Sequence, residues 1–176
     1  APVCSTFRSA IITGMYQTSI GAHHHRSGRG AKKIILPDGI QTIPRLFQNA
    51  GYHTSLGGWP KTKKGRFGKS DYNFEWDASI YDSNDWINRK PGQPFFAQIQ
   101  TPGAKRRGGN TESAENFQAR CAEIFGAATP VSKVTLPPYY PNDPVLLADW
   151  AAYLDCCRYT DRLVGEVVQR LKDEGE

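Results

Sequence analysis

The chain has 176 residues, 39% hydrophobic and 11% aromatic, and its 22 basic residues against 17 acidic ones give a formal charge of +5. That composition suits one domain with a real core and excludes a disordered chain; no apolar run is long enough to cross a membrane, and no charged-then-apolar leader is visible. The four cysteines, Cys4, Cys121, Cys156 and Cys157, have neither zinc-ligand spacing nor a disulfide-framework pattern, and are read as reduced thiols, the adjacent pair partly buried.

In chain order, the first predicted helix starts at Ser5 or Thr6, good N-cap residues, and stops at Gly14. Residues 17–31 read as loop and carry His23-His24-His25. Residues 42–51 predict a short helix, capped by Thr42, with Pro44 in its first turn and Gly51 as its stop. Residues 52–57 read as a strand leading into a basic loop, and residues 95–100, between Pro94 and Pro102, as a second strand. Residues 112–125 form a weak helix, and the proline-rich 134–141 an extended surface segment.

The clearest pattern comes last. Asp143 caps, Pro144 takes the first helical position, and Leu147, Trp150, Ala151, Leu154, Val164, Val167, Val168 and Leu171 mark one apolar face running to Gly175. About 30 residues at ~1.5 Å each make a rod of about 45 Å, which asks for a sheet to bury its stripe. There is no internal repeat and no second domain.

Two basic clusters, 61–66 and 105–107, read either as solvated loop or as attraction to a polyanion. No ordered array of basic and aromatic nucleic-acid-binding positions accompanies them, so a sulfated glycan is expected and nucleic acid is not.

Cys4 and Arg8 stand four apart at the mouth of the first helix. A cysteine there sees unpaired backbone N–H groups and the positive end of the helix dipole, so anionic chemistry is favoured, and Arg8 falls on the same face one turn on. The plain alternative is a buried apolar cysteine beside a surface ion pair. A phosphate-cradling thiolate loop needs more successive N–H groups than the three residues between Cys4 and Arg8 supply.

The whole run Pro2-Val3-Cys4-Ser5-Thr6-Phe7-Arg8-Ser9-Ala10-Ile11-Ile12-Thr13-Gly14-Met15-Tyr16 resembles the active-site segment of the sulfatases. Residues 43–52, the Gly68-Lys69 pair, the strand 94–99 and the final helix with Asp161, Val164 and Gly165 resemble later segments of that family, in its order. The look is that of bacterial enzymes related to heparan N-sulfatase and other sulfated-glycan sulfatases. Thr6 stands where the signature has proline, Asp71 where a histidine follows the Gly-Lys pair, and Thr101-Pro102-Gly103-Ala104-Lys105 where histidines follow the strand.

The resemblance implies an α/β fold, a partial alkaline-phosphatase-like sandwich with helices around a mixed sheet. Residues 1–176 are then a single partial catalytic domain, lacking the first strand and the C-terminal metal-binding strand, and inactive alone. It implies that Cys4 is converted by a formylglycine-generating maturation enzyme to a formylglycine, which acts as nucleophile and as ligand to Ca2+ (or Mg2+) held in the full-length enzyme. Arg8 would hold the hydrated aldehyde, Lys69 a sulfate oxygen, and Lys105 and His25 the substrate. The resemblance further implies a sulfated carbohydrate substrate and a periplasmic or extracellular location. The alternatives are a phosphodiesterase or phosphonate hydrolase of the same superfamily and a non-catalytic polyanion-binding module. His23 and His25 sharing an ion is a further possibility, secondary to their serving as loop donors to sulfate or sugar.

Overall fold

The computed structural model describes residues 3–27, 30, 32–61, 66–102 and 114–176. Its first helix, α1 (Cys4–Thr13), begins earlier than the N-cap rule suggests, with Val3 in the cap position and no side-chain cap. The expected caps are engaged elsewhere: Thr6 Oγ1 donates to the Val3 carbonyl at 2.9 Å, and Ser5 Oγ accepts the Arg26 N–H at 2.9 Å. The end matches expectation, because Gly14 takes the left-handed φ of 66° that closes helices.

α1 is amphipathic in the inverse sense. Its buried residues are Ser5, Thr6, Ser9 and Ile12, while Phe7 and Ile11 are each 53% exposed. The short helix α2 (Ile43–Asn49) places proline in its first turn, where the missing N–H is no loss, and gives way to a chain reversal at Gly51, φ 87°.

Strands β1 (His53–Gly58) and β2 (Phe95–Gln100) pair in parallel, from His53 opposite Phe95 to Gly58 opposite Gln100. β1 runs one residue later than the pattern suggested, and a bridge from Ser55 to Ser83 extends the pairing on its other side. Leu56 packs with Ile12, Tyr72, Phe74, Ile80 and Tyr81 to form the core, with Phe67, Trp76 and Phe96 against it. These elements belong to one compact unit, Ala1–Gln100.

The second compact unit is Thr101–Glu176. Its helix α3 (Ala114–Phe125) packs on α4 (Pro144–Glu174) through Phe117, Cys121 and Cys156, edged by Phe125 and Tyr159. The buried carboxylate of Asp155 accepts the Thr129 N–H at 3.0 Å and hydroxyl at 2.6 Å and pairs with Arg158 at 3.0 Å. The ends of α4 follow the sequence, for Asp143 Oδ1 accepts the Val145 N–H at 2.8 Å and Gly175 closes the helix at φ 79°; of its expected apolar face Ala151 is buried, whereas Val164 and Val168 are exposed. Residues 134–141 hold no regular element. Cys121 and Cys156 are buried thiols; Cys157, expected to be partly buried, is exposed. No described helix is long and apolar enough to cross a membrane.

Candidate functional site

The site lies at the C-terminal ends of β1 and β2, where parallel sheets present their ligand crevices. Cys4 and Arg8 are both half-buried on α1. Arg8 Nη1 donates to the Lys69 carbonyl at 2.9 Å, and Nη2 donates to Gln100 Oε1 at the end of β2. Three segments far apart in the chain therefore meet on one guanidinium.

The Gly68-Lys69 pair reaches that point because of its glycine. The Gly68 N–H donates to the Leu56 carbonyl at 2.9 Å, and a Cβ at position 68 would run into the Gly57 carbonyl and stand 3.0 Å from Gln100 Cγ. Only a residue without a side chain lets the 66–71 segment lie across the strand ends. Lys69 then meets Asp71: Nζ is 3.2 Å from Oδ2, with the lysine half-exposed and the aspartate only 6% exposed. Asp71 sits in left-handed backbone, φ 54°, which Asp tolerates better than most residues. The carboxylate at this position thus holds the ammonium of its neighbour.

His25, expected from sequence as a substrate contact, is exposed and tied to α1 by a 2.9 Å hydrogen bond between Nδ1 and Ser5 Oγ. The device that brings it there is Asn73. Its side chain, fully buried, donates to the carbonyls of Ala22 (3.0 Å) and His24, while its N–H donates to Ser9 Oγ at 2.9 Å. Ser5, Ser9, Asn73 and Gln100 carry the geometry, yet no local pattern marks them. Lys105 lies outside the described residues, as do 62–65 and 106–107. Of the first basic cluster, Lys61 pairs with Asp85 at 3.3 Å.

Beneath Arg8 the hydroxyls of Tyr72 and Tyr81 are hydrogen-bonded to each other, and Tyr81 donates to Gln98 Oε1 at 3.0 Å. Burial pushes both phenols up from the ordinary tyrosine value, against the opposing charge of Arg8.

A second constellation, at the N-terminal end of β1, has the residue types of a nucleophilic triad. His53 Nε2 is 2.8 Å from Ser83 Oγ, and Nδ1 is 3.9 Å from Asp82 Oδ2. The proton traffic runs the wrong way: Ser83 donates to the Asp85 carbonyl at 2.7 Å, so His53 Nε2–H is the donor to serine rather than its base. Asp82 is occupied by the Thr54 N–H at 2.7 Å. The group fastens the 82–85 turn to β1.

Among the described residues, no three of His, Cys, Asp and Glu gather to hold a metal. A hard divalent cation takes six or more oxygens, whereas Asp71 is committed to Lys69 and Cys4 has a guanidinium one turn away. These residues do not by themselves fit a Ca2+ or Mg2+ site. What they bring together is the Arg8 guanidinium, the Lys69 main chain and the Gln100 side chain at the strand ends.

The Sulfatase family model matches residues 1–176. The ulvan-active sulfatase of Formosa agariphila is 29% identical over 211 residues, covering 98% of this chain and 33% of that protein. The uncharacterized sulfatase YidJ of Escherichia coli K12 is 32% identical over 82 residues, 46% of this chain and 15% of its own length. A solved structure described under the metabolism of multiple glycosaminoglycans by Bacteroides thetaiotaomicron has a TM-score of 0.63 at 16% identity, over 99% of this chain and 46% of that one. The fold is therefore the α/β, alkaline-phosphatase-like architecture expected from sequence. The chain spans about a third of the ulvan-active relative. Along its whole length, the chain belongs to the sulfatase family.

Proposed function

We propose that this chain carries the nucleophile-bearing and sulfate-recognising part of a sulfatase that acts on sulfated carbohydrate in the periplasm or outside the cell. The observation that supports the reading best is the Arg8 guanidinium, held at once by the Lys69 carbonyl and by Gln100. Sulfate esters repel anionic nucleophiles, so the group must first be neutralised and oriented, and a planar guanidinium does both. Arg8 keeps further N–H donors for sulfate oxygens after satisfying its two protein partners. Lys69, held by Asp71, supplies a second cation, and His25, anchored through Ser5, a further ring nitrogen.

Cys4 stands where the family's nucleophile forms. A maturation enzyme supplied with a two-electron oxidant would convert the Cys4 CH2–SH to an aldehyde, the C–S bond breaking and the sulfur leaving as sulfide as the C=O bond forms; the hydrate of that aldehyde would supply the hydroxyl that attacks the ester sulfur. Among the described residues no set of divalent-cation ligands is assembled.

The test has two arms. Intact mass of the protein co-expressed with a formylglycine-generating enzyme should show the thiol-to-aldehyde change, abolished by Cys4→Ala. In the full-length enzyme, turnover of an aryl sulfate should exceed that of a phosphate diester and vanish in the same variant. An unmodified Cys4 with turnover retained, or a preference for the phosphate diester, overturns the reading.

A further inference from the structure

Against the same segment lies a groove of about 490 Å³, a volume within the range of small-molecule sites. Arg66, Lys69, Asp71, Tyr72 and Trp76 line it. It adjoins the candidate site directly, since Lys69 lines the groove with its own residue and holds Arg8 through its carbonyl. The wall is fixed in place: Asn84 Nδ2 donates to the Arg66 carbonyl at 3.1 Å, Gly68 is tied to Leu56, and Trp76 stands edge-on to Tyr72 with centroids 5.2 Å apart.

The charges in and beside this groove exceed what one sulfate requires. Arg8, Lys69 and Arg66 are cationic and Asp71 is the one carboxylate in the lining, which leaves two positive charges against the single negative charge of a sulfate monoester. Arg66 is exposed, and guanidinium matches carboxylate and sulfate oxygens two at a time. The half-buried indole of Trp76 offers a sugar ring a flat apolar surface and an N–H donor.

Resting on the sulfatase reading above, we infer that this groove binds the sugar portion of the substrate and selects one bearing a second anionic group, carboxylate or sulfate, which Arg66 holds. The specificity is then for a dianionic sugar unit over a singly sulfated one.

The experiment is calorimetric titration of the protein in a Cys4→Ala background, which prevents turnover, with three probes. These are glucose 6-sulfate, a monosulfated disaccharide containing a hexuronate, and a disaccharide carrying two sulfates. One or both dianionic probes should bind about tenfold tighter than the monosulfated sugar, the worth of one charge-assisted contact. The probe that shows the advantage identifies the second anion. Arg66→Gln should erase that advantage while changing affinity for glucose 6-sulfate less than about twofold, and raised salt should shrink it in the parent. Equal binding of all three probes, or an advantage that survives Arg66→Gln, overturns the inference while leaving the sulfatase reading in place if Lys69→Ala weakens every probe. Failure of every probe to bind, with or without Lys69, sinks both.

Discussion

Arg8 donates to the backbone carbonyl of Lys69 at 2.9 Å, so the side chain of one signature segment is set by the main chain of another 61 residues away. The arrangement makes Lys69 a partner twice over: its carbonyl orients Arg8, while its ammonium answers to Asp71. Replacing the Lys69 side chain therefore leaves the Arg8 anchor in place.

The other anchor of Arg8 is a side chain, and it can be removed. Gln100→Ala deletes the acceptor of Nη2 at the end of β2, where Gln100 is half-buried. Sulfate-ester turnover by the full-length enzyme should fall about tenfold, chiefly through KM, because a charged hydrogen bond that orients the group is lost. Thermal unfolding should move little, and that split separates positioning from folding.

Gly68→Ala should be costly for its size. The added methyl meets the Gly57 carbonyl, a backbone atom that cannot swing aside, so the strand end or the 66–71 segment must shift. A loss of about 1–3 kcal/mol in urea unfolding is expected, as for overpacking elsewhere. Binding of a sulfated sugar should weaken with it, since Lys69 moves with its neighbour.

Asn73→Ala leaves the carbonyls of Ala22 and His24 without their buried donor. The cost should be about 2–3 kcal/mol. Hydrogen exchange gives the local signature: the Arg26 amide, bonded to Ser5 Oγ, should exchange much faster than the amides of β1.

The Tyr72–Tyr81 pair makes the protein sensitive to alkali. Burial raises both phenols above the ordinary value of 10.0, so between that value and the folded-state one the unfolded chain loses protons that the native state retains. Stability is thus undiminished below pH 10 and falls as pH rises beyond it. Urea midpoints measured across that boundary should decline, and Tyr81→Phe should flatten the decline. Equal slopes in the two proteins would falsify the assignment.

Elements whose information is local were legible in the chain. Asp143, Pro144 and Gly175 mark α4 at both ends, and Pro94 and Pro102 bracket β2. The beginning of α1 was misplaced because Ser5 looks like a cap, and only the fold reveals that its hydroxyl serves residues 25 and 26. The motif spacing of Cys4 and Arg8 pointed to anion chemistry, but nothing in it announces Gln100, 92 positions away, or Asn73 beneath the histidine loop. Such partners have no periodicity; they are chosen by what the folded backbone leaves unsatisfied. In the sequence Asp71 stands out only for the histidine it replaces, whereas its bond to Lys69 needs the left-handed turn that brings them together.

The polar underside of α1 has a consequence for accuracy. A helix seated on leucines can slide by a fraction of an ångström with little change in energy, because dispersion has no direction. One seated on Ser5, Ser9 and their hydrogen-bond partners cannot, for any rotation or slip misaligns the donors together. α1 behaves less like a plank resting on a surface than like a key in its wards, and the cysteine at its tip inherits that indexing.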